Sequence, residues 1–168
     1  MTSEKDLCDG LRNATTELAA ASGGQRLLHL ALDAVQTADP AELRRASARW
    51  APLSAPMLLT LLTCCYARGI YDSRDIVAAV AYDPTIRYLC KGTRLRWETL
   101  RSFRRRHRAL LLQSLGWVLK QAWKLKRDER KARARGYDWF ENQFAAFIAR
   151  EAIARLEVAA SLDSAACD

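Results

Sequence analysis

Five arginines and one histidine occupy the eight positions from 101 to 108, a segment that we call the arginine cluster. Clustered guanidinium groups bind phosphates, and a single arginine can form two hydrogen bonds to a guanine base in DNA. The cationic surplus extends around the cluster: Arg87 to Arg135 contains 17 lysines and arginines and three acids, whereas the remaining residues contain 10 basic and 16 acidic groups. Because concentrated positive charge attracts polyanions, the sequence predicts a nucleic acid as the partner.

An ordinary solvated helix face is the alternative for the arginine cluster, and charged runs have that role more often. On such faces, acids usually alternate with cations and form pairs four residues apart. Not one acid lies between Leu100 and Gln121. The pattern therefore favours a surface that binds an anion. RNA is a further anionic partner that the sequence leaves open beside duplex DNA.

The carboxylates do not suggest a catalytic site. A nuclease or a transferase would need several of them together to hold divalent metal ions. Asp72, Asp75 and Asp83 fall at predicted helix starts, where capping explains them, and Asp128 and Glu129 lie inside a basic run. The sequence also has no Gly-rich phosphate loop, nucleophile elbow or Cys-His arrangement. We therefore expect no enzymatic activity, no cofactor, no metal and no small-molecule substrate.

The cysteines and histidines suggest neither a disulfide framework nor a zinc site. The cysteines are odd in number, no Cys-x-x-Cys motif occurs, and the two histidines are far apart in the sequence. We expect reduced, mostly buried thiols at Cys8, Cys64, Cys65, Cys90 and Cys167. No apolar run is long enough for a membrane span, and no signal-peptide pattern opens the chain, so we expect a cytoplasmic, nucleoid-associated protein without membrane contact.

Helices must position these residues, since helix signals recur along the chain and alternating strand patterns are nearly absent. We expect an all-α helical bundle. The most apolar segment, opened by Ser54, Ala55 and Pro56, is hydrophobic on every side and is predicted to be the central helix. Capping residues, prolines and glycines bound the other helices. Their expected ranges are 3–21, 25–36, a short helix from Pro40, 76–81 and 85–90.

The arginine cluster is expected on a longer helix that begins near Trp97 to Thr99. Its apolar stripe would run from Leu100 to Val118 and include His107 as a packed structural histidine. The opposite face would carry Arg101, Arg104, Arg105 and Arg108. Because a short helix and a turn at Gly92 precede it, the pattern predicts a helix-turn-helix-like unit whose second helix enters the major groove. The tryptophans at 97, 117 and 123 are expected in the core or at interfaces rather than as stacking platforms for bases.

Two features follow the cluster. Lys124 to Arg135 is charged on all sides, so it is either a helical continuation or a mobile basic linker. A last amphipathic helix is predicted from Phe140, with Phe140, Phe144, Phe147, Ile148 and Ile153 facing a partner surface, before a polar tail from about Ser161. This helix supports an alternative function, in which the protein is a helical interaction module that self-associates through Phe140 to Leu156.

Residues 53 to about 119 resemble the N-terminal domain of bacterial insertion-sequence transposases of the InsH type. The shared pattern comprises a leucine-rich helix that ends at Tyr66, Ala67 and Gly69, the helix start Ser73, Arg74 and Ile76, the short helix with Arg87, Tyr88 and Leu89 before Gly92, and the segment with Thr99, Leu100, Phe103, Arg104, Arg106 and His107. The resemblance implies a helical domain that binds the DNA ends of a mobile element. In the family an Asp-Asp-Glu catalytic domain follows, which this chain lacks, so no transposition chemistry is expected.

One difference from the family lies before the arginine cluster. Where family members tend to have Pro-Asp-His, this chain has Leu95, Arg96 and Trp97. A cation thus replaces the capping aspartate, which changes the expected turn and the bases that would be contacted.

These observations predict a non-catalytic protein that binds double-stranded DNA and derives from a transposase N-terminal domain, as a transposition accessory or remnant or as a recruited regulator. The expected organisation is an N-terminal helical collar (1–48), the DNA-binding domain (49–123) and a basic segment with the C-terminal helix (124–168). The predicted DNA contacts are Arg94, Arg96, Arg101, Arg104, Arg105, Arg108, Lys124, Lys126, Arg127, Arg130 and Lys131.

Overall fold

The computed structural model of this chain describes the backbone of residues 4–22, 24–47, 49–50, 53–131 and 141–165. Side chains are described over the same ranges except at 4–8, 11, 12, 128–131 and 141–143. Within these ranges the regular structure is entirely α-helical and contains no strand, which confirms the all-α prediction. The helices are α1 (Glu4–Ser22), α2 (Gln25–Gln36), α3 (Pro40–Ser47), α4 (Ala55–Ala67), α5 (Ser73–Ala79), α6 (Pro84–Cys90), α7 (Trp97–Arg106), α8 (Arg108–Lys131) and α9 (Glu141–Ala165).

Helix α4 is the centre of the bundle, as its all-round hydrophobicity predicted. Every residue from Leu58 to Ala67 is buried, and α2 and α8 pack against it. The Ser54 hydroxyl caps its start by accepting a hydrogen bond from the Met57 backbone N–H at 3.3 Å. A helix that is apolar on every side is stable in water only when other helices cover it, so α4 organises the core.

The short helices α5 and α6 begin at the capping residues that the sequence predicted. The Asp72 carboxylate accepts a hydrogen bond from the Arg74 backbone N–H at 2.7 Å. The Asp83 carboxylate accepts hydrogen bonds from the backbone N–H groups of Thr85 and Ile86 at 2.9 and 3.1 Å. Lys91 and Gly92 then end α6 with φ angles of 46° and 74°, a left-handed turn for which glycine is best suited.

The single long helix that we expected around the arginine cluster is two helices. Helix α7 ends at Arg106 and α8 begins at Arg108, with His107 between them at φ −116° and ψ 34°. The His107 ring packs 4.6 Å from the Phe103 ring, measured between centroids, and its Nε2 accepts a hydrogen bond from Trp50 Nε1 at 3.2 Å. The packed structural role predicted for His107 is therefore correct. These tertiary contacts, which a local helical pattern does not reveal, coincide with the break.

The N-terminal, central and C-terminal segments share one hydrophobic core in the described part of the chain. Helices α1, α2, α4 and α9 all pack against α8. The expected boundary between 123 and 124 falls inside α8, so the start of the basic run is a helical continuation up to Lys131, and residues 132–135 lie outside the described ranges.

The C-terminal tail that we predicted to begin near Ser161 belongs to α9 instead. The helix continues to Ala165, and Asp163 within it is only 4% exposed. The polar composition of this stretch predicted an exposed tail, but Asp163 forms hydrogen bonds inside the protein, with Ser73 of α5. Among the described helices, none combines the length and the apolar character that crossing a membrane requires.

Candidate nucleic-acid interface

Helix α7 has an inward face and an outward face. Leu100, Phe103 and Arg104 are buried on the inward side. Six other positions of the helix line an open depression, which we call the outward face of α7: Trp97, Glu98, Arg101, Ser102, Arg105 and Arg106. The 3.6-residue repeat of the helix produces this division, because positions four apart lie on the same side.

The outward face of α7 carries more positive than negative charge. Arg105 and Arg106 are exposed, Arg101 is partly buried, and Glu98 is its one acid. Arg96, which precedes the helix, is 71% exposed, with its Nη2 atom 3.6 Å from Glu98 Oε1. A pair this exposed contributes little to stability, so the Arg96 side chain can move to another anion at small cost.

Trp97 opens the outward face and packs beneath a cation from the neighbouring helix. The Arg74 guanidinium of α5 lies 5.1 Å from the centroid of the Trp97 ring. Helix α5 packs against α7, and this contact holds the first turn of α7. The side chain of Arg96 forms no capping hydrogen bond at the start of α7. Helix α7 therefore begins without the side-chain cap that Asp, Asn, Ser or Thr supplies at this position.

The structure corrects the prediction for Arg104, which does not lie on the outward face. Arg104 is 4% exposed, forms an ion pair with Asp163 of α9, and donates from Nη1 to the Tyr66 hydroxyl at 3.2 Å. Asp163 also accepts hydrogen bonds from Ser73, from its backbone N–H at 3.3 Å and its hydroxyl at 3.0 Å. Helical spacing explains the error, since Arg104 follows Leu100 by four residues and shares its buried face.

The buried cluster around Arg104 keeps the arginine charged and the tyrosine neutral. Burial acts to lower the pKa of Arg104, but Tyr66 and Asp163 more than offset it, and the pKa of Arg104 is raised. Burial raises the pKa of Tyr66 to about 12, although Arg104 opposes the increase. The cluster joins α4, α5, α7 and α9 through Tyr66, Ser73, Arg104 and Asp163.

The other predicted DNA contacts have different environments. Arg94 and Lys124 are exposed, as are Arg96 and Arg105. Arg108 is also exposed, with its Nη2 atom 3.9 Å from Glu157. The Lys126 side chain is mostly buried and forms an ion pair with Glu17 of α1 at 2.8 Å. This pairing corrects the prediction that Lys126 contacts DNA. Arg127 is partly buried, whereas the side chains of Arg130 and Lys131 in α8 lie outside the described ones.

Arg106 belongs to the candidate interface although we did not predict it there. A single helix over residues 97 to 118 predicts that 101, 104, 105 and 108 lie opposite the apolar stripe. The buried positions 100, 103 and 104 put 101, 102, 105 and 106 on the outward face instead. Position 104 lies on the same helical face as the apolar positions 100, 103 and 107. The sequence therefore contains a signal that Arg104 is buried and that 101, 102, 105 and 106 face outward.

One face of the C-terminal helix packs within the protein. Ile148 and Leu156 are buried, and the Phe144 ring lies 5.7 Å from the Trp123 ring. Ile153 is partly exposed, and Phe140 lies outside the described residues. Much of the apolar surface that the self-association alternative requires is therefore already covered by α8.

The described cysteines are buried and unpaired, as predicted. Burial raises the pKa of Cys64 to about 11 and also raises those of Cys65 and Cys90. Thiols with raised pKa values are poor nucleophiles, because the thiolate is the reactive form. Cys8 and Cys167 have no described side chains. Over the described residues, no group of three or more His, Cys, Asp or Glu side chains has an arrangement that could hold a metal ion.

Comparisons with protein-family models, curated proteins and solved structures gave no match to this chain.

Proposed function

We propose that this protein is a non-catalytic DNA-binding protein and that the outward face of α7 contacts duplex DNA. The exposure of Arg105 and Arg106 side by side with Arg101 on one helical face is the observation that carries the proposal. The similarity to InsH-type transposase N-terminal domains supports the same function and suggests an origin as an accessory product, a remnant or a recruited regulator of a mobile element. In this proposal α6, the turn at Lys91 and Gly92, and α7 act as a helix-turn-helix-like unit.

The dimensions of α7 suit the major groove. Ten residues make a helix about 15 Å long, and a groove about 12 Å wide admits a helix of this kind. Arg94 and Arg96 precede the helix and are exposed, so they are placed to contact phosphates beside the groove. Arg101 and Glu98 would then contact base edges, and Arg105 and Arg106 would contact phosphates of the facing strand.

The residue types on the outward face favour G·C base pairs. Arginine pairs with the O6 and N7 atoms of guanine, and a glutamate such as Glu98 accepts a hydrogen bond from the N4 amino group of cytosine. Adenine is usually contacted by Asn or Gln, and α7 contains neither. We therefore expect tighter binding to G·C-rich than to A·T-rich duplexes.

The inward face of α7 would hold the interface in place before DNA binds. Leu100 and Phe103 are fully buried, and Arg104 is tied to Asp163 and Tyr66. A surface that is already ordered loses less conformational entropy on binding, and more of the interaction energy remains as affinity.

A charge-matched comparison tests the proposal. The variant R105A/R106A removes two cations from the outward face, and R44A/R45A removes two exposed cations from α3. Fluorescence anisotropy with a labelled G·C-rich duplex would measure the affinity of each, and thermal unfolding would verify that both variants fold. We expect R105A/R106A to bind at least about 10-fold more weakly than the wild type, and R44A/R45A within about 3-fold of it. Equal affinities of the two variants would refute the proposal.

A further inference from the structure

A second exposed surface lies around the turn between α5 and α6. Tyr82 and Tyr88 are 72% and 67% exposed, the highest values of any large hydrophobic side chain in the described residues. Two basic residues of α6 and its C-terminal cap, Arg87 and Lys91, are exposed beside them. We call Tyr82, Arg87, Tyr88 and Lys91 the tyrosine surface.

The frame of the tyrosine surface is held by hydrogen bonds. Arg87 crosses the end of α5, donating from Nε to the Val80 carbonyl at 3.2 Å and from Nη2 to the Ala81 carbonyl. The turn itself is fixed by Asp83, which caps α6 and forms an ion pair with Arg68 at 2.5 Å. Burial acts to raise the pKa of Asp83, but Arg68 and the backbone N–H groups of α6 more than offset it, and the pKa is lowered overall. The Asp83 carboxylate therefore stays ionised. Tyr82 therefore lies in an ordered turn, and Tyr88 lies in the helix that follows it.

The chain that follows the turn between α5 and α6 is positively charged. The sequence from 84 to 97 contains Arg87, Lys91, Arg94 and Arg96 and no acid. Asp83, at the edge of this stretch, is 7% exposed and paired with Arg68, so it presents little negative charge to a ligand. An anionic ligand with flat, polarisable groups fits this combination best.

We propose that the tyrosine surface binds unpaired nucleotides of a single-stranded nucleic acid. Exposed aromatic rings stack on bases, and cations beside them attract the phosphates, which is how proteins bind single strands without sequence preference. An acidic peptide could satisfy the cations, but it offers no flat group for the two exposed rings. The tyrosine surface shares no residue with the outward face of α7, and the proposal holds whether or not α7 binds duplex DNA.

Fluorescence anisotropy with a labelled oligothymidylate of about 12 nucleotides tests the proposal on the whole chain. The variant Y82A/Y88A removes both rings, Y82F/Y88F keeps them, and L32A removes a partly exposed side chain of α2 as a control. Stacking of one base on an aromatic ring changes affinity by about 5- to 150-fold. We expect at least about 10-fold weaker binding for Y82A/Y88A, and affinities within about 3-fold of the wild type for Y82F/Y88F and L32A.

An abasic oligomer of the same length separates stacking from charge attraction. It should bind the wild type as weakly as oligothymidylate binds Y82A/Y88A. The proposal is overturned if Y82A/Y88A keeps the wild-type affinity, if the phenylalanine variant loses as much as the alanine variant, or if the abasic oligomer or an oligoglutamate peptide binds as tightly as oligothymidylate. Duplex binding that depends on Arg105 and Arg106 but not on the tyrosines would leave the function proposed for α7 intact.

Discussion

Arg104 and Arg105 are neighbours in the sequence and have opposite environments. Arg105 is exposed on the outward face, whereas Arg104 is buried against Asp163 and Tyr66. The burial of Arg104 could be predicted in part, because it follows Leu100 by four residues. Its acceptor could not, since Asp163 is 59 residues away and lies in a stretch whose composition suggested a polar tail.

Removing one member of the Arg104 and Asp163 pair should destabilise the protein. Each of R104A and D163A leaves an uncompensated buried charge, for which we expect a loss of about 3–5 kcal/mol in the free energy of unfolding. The double variant R104A/D163A should lose less than the sum of the two single losses, because both charges are removed together. Urea denaturation measures these values. Additive losses in the double variant would show that the two side chains do not interact.

His107 should make stability depend on pH near neutrality. Burial lowers its pKa below the ordinary value of 6.5, with Arg49 acting in the same direction and Glu42 against it. As the pH falls below 6.5, the unfolded chain takes up a proton that the folded chain resists, so the free energy of unfolding decreases until the pH passes the folded pKa. The hydrogen bond from Trp50 requires an unprotonated Nε2, and protonation would also remove this contact.

Unfolding measured from about pH 7 to pH 5 checks this prediction. As the pH falls, the free energy of unfolding of the wild type should decrease more than that of H107Q. H29Q replaces the exposed histidine of α2 and controls for the loss of a surface imidazole. If wild type and H107Q lost stability in parallel across this range, His107 would not have the environment described above.

At the scale of helices, local signals were reliable where a capping group defines a boundary. Ser54, Asp72 and Asp83 begin α4, α5 and α6 as the sequence predicted. The break at His107 and the continuation of α9 to Ala165 coincide with contacts to distant residues, Trp50 in one case and Ser73 in the other. Such contacts have no signature in a local window, and the two faces of α7 were consequently assigned with an error.

Helix α9 should contribute to stability through its inward side chains alone. Leu156 is fully buried and Val158 is 44% exposed on the same helix. We expect L156A to lower the free energy of unfolding by about 2–5 kcal/mol, because it leaves a cavity, and V158A to change it by less than about 0.5 kcal/mol. Denaturation combined with size-exclusion chromatography distinguishes packing within the chain from self-association. A change of oligomeric state in V158A, without loss of stability in L156A, would favour the interaction-module alternative.

At the scale of the whole molecule, the charge asymmetry of the sequence is partly compensated in the fold. Acids outside the basic segment approach three of its cations: Asp163 pairs with Arg104, Glu17 with Lys126, and Glu157 lies near Arg108. The sequence established the all-helical class and the surplus of positive charge. It could not show which cations are compensated, because the pairing acids come from α1 and α9.

The cations that remain for DNA are therefore fewer than the sequence suggested. Arg94, Arg96, Arg105 and Arg106 are exposed before and along α7. If these side chains neutralise about four phosphates, the logarithm of the affinity should fall against the logarithm of the salt concentration with a slope of about −3 to −4.

The salt dependence of duplex DNA binding tests the central claim most directly, because its slope counts the cations that contact phosphates. For R105A/R106A we expect a slope less steep than that of the wild type by about 1 to 2, and for R44A/R45A an unchanged slope. Slopes that are the same in all three proteins, or that fall equally in both variants, would contradict the assignment of the outward face of α7 as the DNA-binding surface.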